Sequence, residues 1–376
     1  MPSPREILPL AVLLEQDLET ICRDLDHEFG AMAEKRLLVT GGGGFLGYYL
    51  VQAALHWNHT RGSRGAIDVT IYDNYLRGVP FWLESLQGQP KLQLVRHDMT
   101  APLPASIGHF DYIIHAAGIA SPRYYRQRPL ECIDANIIGL RSLLDYAVRE
   151  RAAGRPVAGL LFYSSSEIYG DPSADAIPTP ETYRGNVSCT GPRACYDESK
   201  RFGETLCVTF ARQHGLPVKI ARPFNNYGPG LKITDGRVLP DFARNVLAGQ
   251  NLVMLSDGRP TRTFCYATDA IAGYYKVLVR GHNGEAYNIG IDGSETSMAE
   301  LARLVCETSR ELFGYRGRVV PGTAAEADYL VDNPNRRCPV ITKARTDLGF
   351  DPRVSIIEGV YRSLVWYWHN RAAEAA

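Results

Sequence analysis

Short apolar runs of four to six residues alternate along the chain with longer stretches in which apolar side chains recur every three or four positions. The runs at 36–40, 67–72, 92–95, 112–115, 159–164 and 218–221 read as strands, and 44–55, 129–151 and 194–214 as the helices between them. Strands linked by helical crossovers predict an α/β fold, a doubly wound parallel sheet with helices on both faces. Ahead of it, Ile7, Leu10, Leu14, Leu18, Ile21, Leu25 and Phe29 follow helix periodicity. They predict one or two amphipathic helices whose polar face carries Glu15, Asp17, Glu19, Asp24 and Asp26. Residues 172–193 are rich in Pro, Thr, Ser and Gly, which suggests a long loop over a site. Beyond about 223 the rhythm loosens, as expected of a smaller α+β substrate-binding domain. The division is 1–34 (helical extension), 35–223 (sheet domain) and 224–376 (substrate domain), with elements interleaved.

Composition narrows the partners. In 376 residues, 41 Lys+Arg balance 41 Asp+Glu, so no basic excess points to nucleic acid. No apolar run approaches the roughly 18 residues that cross a bilayer, and the acidic face of the N-terminal helices repels anionic lipid. Arg5 precedes an apolar run at 7–14, but that run contains Pro9 and meets Glu15, Gln16 and Asp17, which fails as an export signal. The eight cysteines form no CxxC pair and read as reduced thiols of a cytoplasmic protein, without a metal.

Thr40-Gly41-Gly42-Gly43-Gly44-Phe45-Leu46-Gly47 follows the first strand and opens a helix. Gly41 suits the tight turn, Gly44 the close approach of a pyrophosphate and Gly47 the helix–sheet contact of a Rossmann dinucleotide loop. Asp73 ends the second strand, where a carboxylate binds ribose hydroxyls and repels a 2′-phosphate, favouring NAD, although Arg77 lies near. Asp73 comes 32 positions after Gly41 (73 − 41), against about 20 in the usual fingerprint. A surface insertion at 56–66 accounts for the excess.

Tyr196 and Lys200 are spaced to share one helix face. A free phenol titrates near about 10, and a neighbouring ammonium favours the phenolate and lowers that value. Such a pair is suited to take a proton from a sugar hydroxyl. Ser164-Ser165-Ser166-Glu167 follows the fifth strand, where side chains of open α/β sheets point at ligand. A carboxylate there is costly unless it serves a partner or a reaction.

Together with Ala221-Arg222-Pro223-Phe224-Asn225-Asn226-Tyr227-Gly228-Pro229, these motifs resemble extended short-chain dehydrogenase/reductases that act on nucleotide sugars. Ala120-Ser121-Pro122-Arg123-Tyr124-Tyr125, Gly191-Pro192-Arg193-Ala194-Cys195-Tyr196-Asp197-Glu198 and Thr234-Asp235-Gly236-Arg237-Val238 are most similar to UDP-glucuronate decarboxylases within that family. The resemblance implies a catalytic set of Ser165, Glu167, Tyr196, Lys200 and Arg337. It implies cofactor contacts at Gly41, Gly44, Phe45, Leu46, Gly47, Asp73, Asn74, Asp98, Ala116, Tyr196, Lys200 and Pro223. Ser121, Pro122, Tyr124, Asn225, Arg237, Arg262 and Arg337 are implied to hold a UDP-sugar. It further implies bound NAD, no metal, and a homodimer built on the helices at 129–151 and 194–214. In that reaction Tyr196, with Lys200 and Ser165, takes the C4 hydroxyl proton during oxidation at C4, carbon dioxide leaves C5, and reduction of C4 gives UDP-xylose. Glu167 is expected to orient the substrate or relay a proton to C5. A 4-epimerase, a 4,6-dehydratase, a UDP-apiose/UDP-xylose synthase and a non-catalytic dinucleotide sensor remain as alternatives. The chain departs from the family pattern at Gly230, where an arginine is usual; Lys232 replaces its charge only with a shift.

Overall fold

Leu37, Leu38 and Val39 are wholly buried, and the strand they form, β1 (Arg36–Thr40), is an interior strand of a seven-stranded sheet in the computed structural model, which describes residues 7–61, 65–293, 295–323 and 331–375. The others are β2 (Asp68–Asp73), β3 (Leu92–Arg96), β4 (Tyr112–His115), β5 (Gly159–Tyr163), β6 (Val218–Pro223) and β7 (Ala286–Ile289). They are all parallel, in the order β7-β6-β5-β4-β1-β2-β3. Val39 pairs with Ile71 on one side and Ile114 on the other. The order reverses between β1 and β4, which opens a crevice at their carboxyl ends.

The six strands expected from sequence form within two residues of their expected bounds. β7 was not expected: its Ala-Tyr-Asn-Ile sequence places a polar residue among the apolar ones. The structure accommodates Asn288 by pairing its amide with the Thr179 and Val340 carbonyls, each at 3.0 Å, and with the Tyr169 hydroxyl at 2.7 Å. β7 and the helix Ala267–Arg280, which packs on β5 and β6, return to the sheet from the substrate half of the chain.

Two helices precede β1, α1 (Leu10–Asp24) and α2 (Asp26–Ala31). They pack on α3 (Gly47–Arg61) and on Ala267–Arg280. The solvent-facing role expected of Asp17 is wrong, since this residue is 4% exposed. It takes hydrogen bonds from Tyr49 of α3 and from Tyr266 at 2.8 Å, and an ion pair from Arg362 at 2.8 Å. Burial pushes its carboxyl above the usual range, while Arg362 and the two phenols pull the other way. Asp17→Ala leaves those donors without their acceptor. The expected loss is about 2–3 kcal/mol in a urea unfolding curve; a loss under about 0.5 kcal/mol would show that the cluster contributes little.

The segment 56–66 is an insertion only in part. α3 continues to Arg61 with Trp57 buried, and Asn58 brackets Ile67 through both its amide atoms at 2.7–2.8 Å. Residues 62–64 lie outside the described residues, as do 1–6, including Arg5 of the rejected export signal. The expected helix at 129–151 is one continuous rod interrupted by a wide turn: Pro129–Asp134, the π-type turn Ala135–Gly139, then α4 (Leu140–Ala152). α5 (Ala194–His214) has the expected bounds. The smaller domain combines the helices Val238–Leu247 and Met298–Phe313 with short strands, among them Thr261–Arg262 between Thr296–Ser297 and Arg336–Arg337.

Candidate active site

The crevice at the switch point widens into a cavity of about 1160 Å³. Of the residues singled out for catalysis, cofactor or substrate, all but Arg337 line it.

Its floor is the glycine loop. Gly41 adopts φ +71° directly after β1, and a Cβ there would lie 2.6 Å from the backbone of Ala117. A Cβ on Gly47 would lie 2.0 Å from the Gly42 carbonyl oxygen. The third glycine is thus required by the loop's own backbone rather than by the helix–sheet contact expected of it. Asp73 ends β2 and accepts the Gly43 N–H at 2.9 Å on one oxygen and the Tyr75 N–H at 2.7 Å on the other. Burial pushes its carboxyl up, and the two amides with nearby Lys232 oppose that. Each oxygen keeps a free lone pair, so the carboxylate can still accept from two ribose hydroxyls. The glycine cradle and Asp73 together fit a dinucleotide. Arg77 is drawn elsewhere: its Nη1 is 2.9 Å from Asp235 and its guanidinium lies 4.4 Å from the centre of the Tyr124 ring. Asn74 donates to Asp98 at 3.0 Å on the same wall.

The reactive groups come from β5 and α5. Ser165 leaves β5 in an extended conformation, and its Oγ accepts the Glu167 N–H at 3.2 Å, starting a single 3₁₀ turn that swings Glu167 into the crevice. Tyr196 and Lys200 lie one turn apart on α5, 6% and 4% exposed. Ser165 lies beside the Tyr196 hydroxyl and favours its ionised form. Lys200 Nζ donates to the Tyr163 carbonyl at 2.8 Å and sits 5.7 Å from the centre of the Tyr196 ring. Burial pushes the lysine down to about 8. The phenol, however, is not lowered as the spacing suggested: burial raises it well above its ordinary value, with Ser165 and Arg237 only partly opposing. Burial thus opposes release of the Tyr196 proton, and positive charge placed beside the phenol would favour its release.

Glu167 forms ion pairs with Arg193 and Arg337. Burial alone would raise its carboxyl, but the two guanidinium groups outweigh it and hold the group well below the usual carboxylate range. Arg193 also stands 3.6 Å from Asp197, whose carboxyl is pushed up to about 7 by burial and by the charge of Glu167. Neither Arg193 nor Asp197 was assigned a role from sequence, although they bracket Tyr196 four residues apart, the spacing at which helical side chains meet. Tyr125 was missed too; its ring stacks on Tyr196 at 5.2 Å and 11°.

Arg337 stands one layer behind the wall, donating to Ser166 Oγ at 3.3 Å and the Gly170 carbonyl at 3.1 Å besides pairing with Glu167. On the substrate side, Ser121 donates to the Asp235 carbonyl at 2.6 Å, and Arg237 to the Ala120 carbonyl at 3.2 Å. Asn225 holds φ +44° and donates to Thr263 O at 2.9 Å. Arg262, pushed down to about 10 chiefly by burial, donates to the carbonyls of Thr261 and Pro334. Gly230 has φ +87°, and a Cβ there would lie 2.4 Å from Tyr48 Cβ, so an arginine cannot stand at this position. Lys232 donates to the Arg77 carbonyl at 2.6 Å and lines the cavity near Asp73.

The NAD dependent epimerase/dehydratase family model matches residues 37–290. UDP-glucuronic acid decarboxylase 5 of Arabidopsis thaliana is 39% identical over 326 residues, which are 86% of this chain and 87% of that protein. Among solved structures, a dTDP-glucose 4,6-dehydratase from Streptomyces venezuelae with NAD bound is 27% identical, covers 90% of this chain and 98% of its own, and superposes with a TM-score of 0.76. A UDP-glucose 4-epimerase from Thermotoga maritima with UDP-glucose bound is 25% identical over 89% of this chain and 99% of its own, with a TM-score of 0.74.

Proposed function

The chain belongs to the NAD dependent epimerase/dehydratase family, and on that premise we propose that it is an NAD-dependent UDP-glucuronate decarboxylase that forms UDP-xylose through a 4-keto sugar. The observation that carries this reading is the state of Glu167. Expelling the C6 hydroxyl, as a dehydratase must, needs a protonated acid at the strand end. Here that place holds Ser166 and a carboxylate kept ionised between two arginines. Asp197, the carboxyl pushed toward neutrality, does not line the cavity. An epimerase has no need of a carboxylate at that point.

The glycine loop, Asp73 and Lys200 would hold NAD. Bound there, NAD supplies a two-electron acceptor and donor for the sugar's C4. Tyr196 acts as the phenolate, the form that the ammonium of Lys200 favours; beside Ser165 it accepts the C4 hydroxyl proton and becomes the neutral phenol. Once C4 is a ketone, the C5 carboxylate belongs to a β-keto acid. Carbon dioxide leaves with its bonding electrons flowing into the C4 oxygen, where the Tyr196 and Ser165 hydroxyls donate to the developing charge. Glu167 fixes Arg193 and Arg337 in place; being ionised, it is not the donor of a proton to C5. Arg237, Arg262 and Asn225 line the diphosphate end of the cavity, where planar guanidinium groups suit phosphate oxygens.

Purified protein incubated with UDP-glucuronate is expected to yield a sugar nucleotide lighter by one carbon dioxide. An isomer of unchanged mass would instead mark an epimerase.

No helix among the described residues is long and apolar enough to cross a membrane. Eight unpaired thiols support a reducing compartment, the cytoplasm. A homodimer is supported by the apolar side chains that the adjacent rods 129–152 and α5 leave exposed, with Leu130 at 71%, Phe202 at 52% and Ile138 at 44%. Sedimentation should give a dimer for the unaltered protein and a monomer for Leu130→Asp with Phe202→Asp. A monomer before substitution contradicts this assembly.

A further inference from the structure

Two thiols meet beside the reactive phenol. Cys132, wholly buried in Pro129–Asp134, donates to the Ile119 carbonyl at 3.5 Å. Cys195, partly exposed in the first turn of α5, donates to the Tyr125 carbonyl at 3.6 Å. Both thiols belong to one small cluster with Tyr125 and Tyr196, Cys132 inside it and Cys195 packed against it. We propose that Cys132 and Cys195 form an oxidative modification site, closing reversibly to a disulfide under hydrogen peroxide and so stopping turnover at the adjacent Tyr196.

The two sulfurs are unequal in the way such chemistry needs. Contact with Cys132 lowers Cys195, and although burial opposes, backbone amides at the start of α5 and Arg126 add to the effect and leave it at about 7. Cys132 is raised by its contact with Cys195 and by burial. Cys195, reachable from solvent in the first turn of α5 while Cys132 is wholly buried, is therefore the attacking thiolate. It breaks the peroxide O–O bond, one oxygen leaving as hydroxide and the other remaining as a sulfenic acid. The Cys132 sulfur then attacks Cys195, water leaves, and the S–S bond forms. Two thiols and one peroxide give one disulfide and two waters.

A disulfide requires its sulfurs at about 2.0 Å, closer than two unbonded sulfurs can approach. The first turn of α5 must draw toward Pro129–Asp134 and carry the next residue with it. That residue is Tyr196, whose ring is stacked on Tyr125.

Peptide mapping after treatment with hydrogen peroxide and alkylation tests this. The chain should lose the mass of two hydrogens, with the peptides of Cys132 and Cys195 joined. Turnover of UDP-glucuronate should fall about a hundredfold and return with dithiothreitol. Cys132→Ser should keep its turnover before oxidation, form no cross-link and stop at a dimedone-reactive sulfenic acid on Cys195. The proposal is overturned if no such pair forms, if the link runs through exposed Cys189 instead, or if the disulfide forms and turnover persists. The loss of turnover rests on the decarboxylase reading. The cross-link does not, so the two can fail separately.

Discussion

Tyr196→Phe should lower kcat by about 10³-fold while KM for UDP-glucuronate changes by less than about threefold. The phenol is buried, lies beside Ser165 and stands one helical turn from a buried ammonium. Removing its oxygen takes away the acceptor for the C4 proton and one donor to the C4 oxygen. It leaves the ring that stacks on Tyr125, so the fold and both binding halves of the cavity persist. Steady-state kinetics, with cofactor binding followed by titration, separates the two effects. A variant retaining a kcat within about tenfold of the parent would remove Tyr196 from the role given to it here.

Glu167→Gln acts through other residues and costs stability as well as rate. The substitution leaves the guanidinium groups of Arg193 and Arg337 close together without the charge that holds them. Breaking such a pair at a buried site costs about 3 kcal/mol, and kcat should fall about 10²-fold with a smaller change in KM. Asp197 supplies a readout that lost packing alone would not move. Its carboxyl is raised to about 7 by burial first and by the charge of Glu167 second. An acid raised on folding costs stability as pH climbs from its ordinary range toward that value. With Glu167 neutral the rise shrinks, so between about pH 4 and 7 the Asp197 contribution to that loss should be smaller. An unchanged melting temperature with only KM affected would refute this view of Glu167.

The parts of this account legible in the sequence are those governed by local pattern. β1 and α5 could be placed to the residue because their apolar spacing is dictated by burial on the sheet. Glycines after β1, Asp73 after β2 and Ser165 after β5 follow from strand ends facing the crevice. What escaped was set by residues far apart in the chain. β7 contains Asn288, whose amide is satisfied only through Thr179 and Val340. Asp17 looks like a surface carboxylate until Tyr266 and Arg362 are folded against it. Gly230 reads as a lost arginine, yet Tyr48 leaves no room for one. The acidity of Tyr196 was misjudged because spacing reveals the ammonium but not the desolvation that outweighs it. Glu167 stands out in the sequence as a costly carboxylate, while its two guanidinium partners arrive from Arg193 and Arg337, 26 residues and 170 residues downstream (193 − 167 and 337 − 167).

The most direct test follows the hydrogen on C4. UDP-glucuronate deuterated at that carbon, supplied with the purified protein in ordinary water, should lose carbon dioxide and give UDP-xylose with the deuterium back on C4, because oxidation and reduction of that carbon occur within one visit to the site. Deuterium lost to solvent during decarboxylation, or an intact carboxylate with C4 inverted, would contradict a cycle in which C4 is briefly oxidised so that the bond at C5 can break.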